Sequence, residues 1–232
     1  MPSLAIVILN WNGKHLLERI LPSVIENSKG AQVVVADNAS SDDSLAFVKA
    51  NYPQVRIVKN PKNYGFAGGY NQALREVDAD LFCLLNSDVE VTKGWLAPVL
   101  ELFKQNRDIG IVQPKIKDLN RPNCFEYAGA AGGFLDRFGY PFCRGRIFAH
   151  MEEDTGQYDN TQEVFWASGA AFFIRSRLFH AIGGFDKDYF AHYEEIDLCW
   201  RLKKGGYKIM VRPRSVVYHV GGGTLTYNTP FK

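Results

Sequence analysis

Apolar residues fall along this chain in two alternating patterns, short continuous runs and helically spaced stripes. Residues 4–9 are a continuous run, and Leu16, Leu17, Ile20, Leu21 and Val24 follow at the spacing of one helix face, with Pro22 expected to kink it. Residues 33–36 form a second run ending at Asp37, before a helix carrying Leu45, Phe47 and Val48 that Ser40 or Ser41 is placed to cap. Val55-Arg56-Ile57-Val58 reads as a third strand. A glycine-rich turn at residues 63–69 then leads into a helix with Asn71, Ala73, Leu74 and Val77. The fourth run, residues 81–85, stops abruptly at Asn86-Ser87-Asp88. Strands alternating with helices predict an α/β fold with a mostly parallel central sheet flanked by helices.

The second half is less periodic. Trp95, Leu96, Val99, Leu100 and Phe103 mark a helix, and residues 109–113 a strand. Residues 118–163 read as loops rich in glycine and scattered aromatics. Order returns at residues 164–174, a helix follows from about Glu194 to Lys204, and residues 207–211 and 216–219 read as two short closing strands. No internal repeat or linker interrupts the pattern, so residues 1–232 are expected to form one domain.

A chain of 232 residues is long enough to bury a substantial core. Its net charge of +2 and the lack of any dense Lys/Arg cluster give no reason to expect a nucleic-acid partner. Cys83, Cys124, Cys143 and Cys199 include no C-x-x-C pair; Cys83 and Cys199 sit in apolar patterns and are expected to be buried, reduced thiols. No apolar stretch is long enough to span a bilayer, and residues 4–9 lack the flanks of a signal peptide. The expected location is cytoplasmic. Residues 229–232 end the chain with no terminal element in view, leaving open that it is a fragment truncated at its C-terminus.

Chemistry collects where the runs end. In open α/β sheets ligands bind beyond the carboxyl ends of the strands. Asp88 stands there, able to hold a hard cation against a diphosphate or simply to start the following turn. Asp37 stands at the end of another strand, able to accept the imide N–H of uracil or thymine, or to form an Asx turn. The Asn63-Tyr64-Gly65-Phe66-Ala67-Gly68-Gly69 turn lets backbone N–H groups approach a ligand but matches neither the dinucleotide nor the Walker template. Glu194, Glu195 and Asp197 crowd a helix start, where the macrodipole favours acids; Asp197 and Arg201 are spaced to pair. Adjacent Glu194 and Glu195 project about 100° apart, so one can be held while the other faces a cleft as a general base. His219 precedes Gly221-Gly222-Gly223 and reads as a metal ligand on a closing loop or as a structural histidine.

Taken in order, these motifs resemble the inverting, nucleotide-sugar-dependent glycosyltransferases of family two, which have the Rossmann-like GT-A fold, and most of all their bacterial rhamnosyltransferase-type branch. The resemblance starts at Val7-Ile8-Leu9-Asn10-Trp11-Asn12-Gly13 and runs through the Asp37 segment, the Asn63 turn and Leu85-Asn86-Ser87-Asp88. It continues at Ser168-Gly169-Ala170, Gly183-Gly184-Phe185-Asp186 and Tyr193-Glu194-Glu195-Ile196-Asp197, and closes at His219. It implies a nucleotide-binding half over residues 1–92 and an acceptor and catalytic half over residues 93–232. Asn10, Asn12, Asp37, Asn63 and Gly65 would hold the nucleoside. Asn86-Ser87-Asp88 occupies the family's D-x-D position, with Asn86 replacing the first carboxylate and Asp88 as the contact to Mg²⁺ or Mn²⁺, joined by His219. Glu194-Glu195 matches the family's Glu-Asp pair, making Glu195 the base, one methylene longer than usual.

The implied reaction is metal-dependent, inverting hexosyl transfer from a UDP- or dTDP-sugar to a hydroxyl of a glycan or lipid-linked glycan, in bacterial surface polysaccharide synthesis. With no transmembrane segment, peripheral association with the inner membrane face is the expected setting. The alternative is a non-catalytic nucleotide-sugar-binding or interaction module of the same fold. A Rossmann dehydrogenase fits less well, because no glycine fingerprint follows the first strand.

Overall fold

The computed structural model of the protein is described for residues 2–189 and 192–221. Gly222, Gly223 and the chain end at residues 229–232 lie outside the described residues. In chain order the first half comprises β1 (Leu4–Asn10), α1 (Lys14–Asn27), β2 (Gln32–Asp37), α2 (Ser44–Asn51), β3 (Arg56–Lys59), α3 (Gly65–Ala73), β4 (Leu81–Leu85) and β5 (Val89–Val91). There follow α4 (Leu96–Gln105), β6 (Ile109–Asp118) and two short hairpins, β7 (Gly133–Leu135) with β8 (Pro141–Cys143) and β9 (Arg146–Ile147) with β10 (His150–Met151). The chain continues through β11 (Gln162–Val164), β12 (Ala171–Arg175), α5 (Ser176–Ala181), α6 (Glu194–Lys204) and β13 (Lys208–His219).

The main sheet runs β11-β13-β6-β12-β4-β1-β2-β3, with β5 added against the end of β13. Strands β4, β1, β2 and β3 are mutually parallel, as the early alternation requires. The sheet becomes mixed at β12, which runs antiparallel between β4 and β6, while β13 returns parallel to β6. Both faces are covered, which is why the strand sequences are continuous apolar runs. Leu4, Ile6 and Ile8 of β1 pack with Leu17, Ile20, Leu21 and Val24 of α1, while Ala5 and Val7 face Ala67, Tyr70 and Ala73 of α3. The cysteines are free, and Cys83 and Cys199 are buried.

Several local expectations give way. The two closing strands are one, because β13 passes through a register shift between Arg212 and Val216, where Pro213 has no N–H to donate. Ser40 and Ser41 do not cap α2, which starts at Ser44; both are engaged by the loop after β1. Trp166 packs flat on Gly133 and donates its indole N–H to the Phe134 carbonyl at 2.9 Å.

Candidate active site at the carboxyl edge of the parallel strands

The parallel registers bring the candidate strand ends to one edge. Asn10 and Asp37 are register partners at the ends of β1 and β2. On the other side of β1, β4 ends at Leu85, opposite Ala171 of β12, and the Asn86 N–H donates to the Ala170 carbonyl at 2.9 Å. His219 pairs with Val89 at the end of β13, so β13 delivers its last side chain next to Asp88.

The corner formed by β1, β2 and β3 is polar and largely buried. Asp37 is buried, and its carboxylate receives only long contacts, 3.3 and 3.4 Å, from the Ser40 N–H. Asn10 donates to Ser40 Oγ at 3.1 Å, and its Oδ1 is buried without a partner. A Cβ at Gly13 would lie 2.6 Å from that oxygen, so a side chain there would displace the Asn10 amide. Asn12, at φ 51°, accepts the Ser41 N–H at 2.7 Å and ties the loops after β1 and β2 together. Asn63 accepts from Asn38 Nδ2 and from the Gly65 N–H, each at 2.8 Å, while Asn38 Oδ1 accepts from Asn60 Nδ2 at 3.0 Å and from the Tyr64 N–H at 3.2 Å. Asn38 and Asn60, which the motif reading passed over, thus hold the glycine-rich turn in place. Their only sequence signal is an asparagine immediately after each of two strands.

At the neighbouring corner Asp88 and His219, far apart in sequence, meet with Oδ1 and Nε2 3.1 Å apart, both buried. A third group joins them that sequence reasoning missed. Glu126 Oε1 lies 3.2 Å from His219 Nδ1, and its other oxygen accepts the Ala128 N–H at 2.6 Å. Burial alone would lower the His219 pKa, but the carboxylates of Asp88 and Glu126 on either side raise it to about 10. No local pattern marks Glu126, since it sits in the aromatic, loop-rich stretch and reaches the site only through the fold.

The glutamate pair opens α6. The chain turns into the helix through His192 and Tyr193, both at positive φ, 72° and 71°, a conformation that costs energy for bulky residues and is held here at the site itself. Glu194 is buried and Glu195 half-buried, and each has an Oε2 atom without a hydrogen-bond partner. Both carboxylates face Gly169, where a Cβ would lie 3.9 Å from Glu195 Cδ and 4.0 Å from Glu194 Oε1. Since Gly169 adjoins Ala170, whose carbonyl binds Asn86, the glutamates and the Asp88 corner share one backbone junction. Burial pushes both carboxyls up; for Glu195, burial and then the neighbouring charge of Glu194 carry the pKa to about 8. Asp197 pairs with Arg201 at 2.6 Å, and Arg201 also donates to the carbonyls of Ile182 and Gly184, so these two residues fasten the Gly183-Gly184 turn.

The raised carboxyl has a consequence for stability. A group whose pKa rises from 4.5 to about 8 on folding contributes stability that is full below pH 4.5 and is lost as pH climbs through about 8. Glu195→Gln removes that loss. Its melting temperature should therefore draw ahead of the parent by several degrees between pH 5 and pH 8, about 2–4 °C per kcal/mol for a domain of this size. Melting curves across that range check this, and a gap that does not change with pH would refute the buried ionisation.

Residues 5–182 match the family model "Glycosyl transferase family 2". An N-acetylglucosaminyl-diphospho-decaprenol L-rhamnosyltransferase of Mycobacterium tuberculosis is 25% identical over 231 residues, covering 93% of this chain and 75% of that protein. Among solved structures, GalNAc-T7 with UDP, GalNAc and Mn²⁺ superposes with a TM-score of 0.73 at 18% identity, over 94% of this chain and 43% of the other. A mannosyltransferase from Pyrobaculum calidifontis in complex with GDP-Man and Mn²⁺ gives 0.66 at 17% identity, over 94% and 57%. The chain thus spans about half the length of those two structures, whose likeness establishes the GT-A fold. With the family model covering most of its length and a rhamnosyltransferase among its relatives, the chain belongs to glycosyl transferase family 2.

Proposed function

We propose that the protein transfers a sugar from a UDP- or dTDP-sugar to a hydroxyl of a glycan or lipid-linked glycan, inverting the anomeric centre, as a step in surface polysaccharide synthesis at the cytoplasmic face of the membrane. The observation that carries this reading is the Glu195 carboxylate. It is half-buried and has an unpartnered oxygen, and it is joined through Gly169 and Ala170 to the strand end that carries Asp88. A pKa raised to about 8 makes it a stronger base than an ordinary carboxylate.

In the transfer, Glu195 takes the proton of the acceptor hydroxyl as that oxygen bonds to the anomeric carbon. The bond from that carbon to the diphosphate breaks on the opposite face, and the nucleoside diphosphate departs. Asp37 accepts the imide N–H of the base, beside the turn that Asn38, Asn60 and Asn63 hold in place. Fixing donor and acceptor in line makes their encounter effectively unimolecular.

Asp88 and His219 suit a divalent ion. Their donor atoms are 3.1 Å apart, close to the spacing of about 3 Å between adjacent ligands of an octahedral ion with bonds of about 2.1 Å. A carboxylate oxygen with an imidazole nitrogen fits Mn²⁺ as well as Mg²⁺. Among the described residues no group of three or more His, Cys, Asp or Glu is arranged to hold a metal alone, so the donor diphosphate would complete the shell. When bound, such an ion neutralises charge growing on the leaving diphosphate.

The test is a panel of nucleotide sugars scored for thermal stabilisation and for turnover. Uridine or thymidine diphosphates should bind better than adenosine diphosphate, and Asp37→Ala should reduce that preference by about 1–3 kcal/mol. Equal affinity for all bases in the intact protein would sink the assignment of Asp37. Donor binding without turnover against any glycan acceptor would favour a binding module instead.

A further inference from the structure

Among the described residues, five of the eleven large exposed apolar side chains fall between residues 138 and 148. Phe138, Tyr140 and Phe142 project from the β7–β8 hairpin, and Ile147 and Phe148 from β9–β10, which follows after only Arg144 and Gly145. Phe138 and Tyr140 are 70% and 71% exposed, and Phe148 is 90% exposed. Phe148 is doubly unfavourable where it stands. It occupies the tight turn between β9 and β10 at φ 52°, a position where glycine, asparagine or aspartate is normal. A fully exposed phenylalanine held in a left-handed turn has no role in packing. It costs the folded state and is explained by something outside the chain.

The charges around it identify what that is. Residues 136–150 contain three arginines and one aspartate; of the acids that follow β10, Glu152 accepts from the Tyr158 hydroxyl and Asp154 pairs with Lys115 and Lys117, while Glu153 is exposed. Arg144 is turned inward, onto the Ala131 carbonyl and Gln162. Asp136 is engaged by the N–H groups of Phe138 and Tyr140, at 2.8 and 2.9 Å. Arg137 stacks on Phe138, 4.5 Å from its ring centroid, and Arg146 stacks on Tyr127 at 3.9 Å. Aromatic rings flanked by arginines that lie along them suit a membrane interface, where rings enter the headgroup region and cations meet anionic lipid. A second copy of the same surface would set arginine against arginine.

We propose that the β7–β8 and β9–β10 hairpins are a membrane-docking surface, seating Phe138, Tyr140 and Phe148 in the headgroup layer of an anionic bilayer. Placement relative to the site supports this. A cleft of about 300 Å³, lined by Tyr127, Ala149, Met151, Glu126, Val220 and Gly221, runs from the Phe148 turn to the carboxylate beside His219. Docking deepens the proposed function, since an acceptor carried on a lipid would be met at the bilayer. Vesicle binding is measured without donor or acceptor, so its failure leaves the transfer chemistry untouched.

The experiment is co-sedimentation of the purified chain with vesicles of phosphatidylcholine alone and of equimolar phosphatidylcholine and phosphatidylglycerol. The expected result is binding to the mixed vesicles, weaker binding to the neutral ones, and partial loss in high salt. Phe138→Ser, Tyr140→Ser and Phe148→Ser together should lower vesicle affinity about ten-fold or more with the melting temperature unchanged. If that triple variant misfolds, Phe148→Gly alone, which suits the positive φ, should still weaken binding. The proposal is overturned if the parent protein stays in the supernatant, or if the folded variants bind as well as the parent. It is equally overturned if the patch proves to mediate a dimer in sedimentation velocity while vesicles are not bound.

Discussion

Glu195→Gln is expected to lower kcat by roughly 10²–10⁴-fold, the usual contribution of a positioned general base, while leaving donor Kd nearly unchanged. The substitution keeps the shape of the side chain and removes only its capacity to take a proton. Glu194→Gln acts differently, because the charge of Glu194 adds to burial in raising the Glu195 pKa. Neutralising it should move the acid limb of the kcat/KM profile, expected near pH 8 in the parent, to lower pH. The measurements are kcat, donor Kd and the pH profile of both variants with an identified acceptor. Near-full kcat in Glu195→Gln, with kcat lost in Glu194→Gln and donor binding intact, would make Glu194 the base.

The parts of the fold legible in the sequence are those where local pattern and tertiary role coincide. The runs in β1, β2 and β4 are apolar throughout because both faces of a parallel sheet are covered, and no other role explains residues 4–9 or 81–85 so simply. What stayed hidden depends on long-range partners. Strand β12 looks like any buried run, and nothing in its sequence says that it enters antiparallel between β4 and β6. Strand β13 was split by Pro213 in the pattern, yet its alternate residues stay buried on both sides of the shift because β6 continues beside it. The short hairpins carry too few residues for period-two alternation to rise above noise. The site divides in the same way. Strand-end carboxylates such as Asp37 and Asp88 announce themselves by ending an apolar run. Glu126 does not, because its role comes from β13 laying His219 against it.

That histidine carries the second large effect. Asp88→Asn should weaken Mn²⁺ binding in the presence of nucleoside diphosphate by about 100-fold or more, since losing a direct ligand should cost at least as much as losing an outer partner, for which 10–100-fold is usual. Glu126→Gln, which changes only the group behind His219, should fall within that 10–100-fold range. With no ion present, Asp88 and Glu126 keep His219 protonated to about pH 10. Binding through its nitrogen must then release a proton, and apparent affinity should rise as pH rises, by up to about ten-fold per unit. Between pH 7.5 and 8.5, where the terminal phosphate of the diphosphate has already lost its proton, that rise reports on the His219–Asp88 pair. Titration of Mn²⁺ by electron paramagnetic resonance at pH 6.5, 7.5 and 8.5 reads affinity without turnover, and melting curves show whether each variant is folded. His219→Ala leaves the buried Asp88 and Glu126 without their shared cation and empties the volume of the ring, so it is the poorer probe; Asp88→Asn keeps the shape of the side chain and leaves Glu126 beside His219. A folded Asp88→Asn protein that binds Mn²⁺ like the parent would remove Asp88 from the metal. Affinity independent of pH would remove His219.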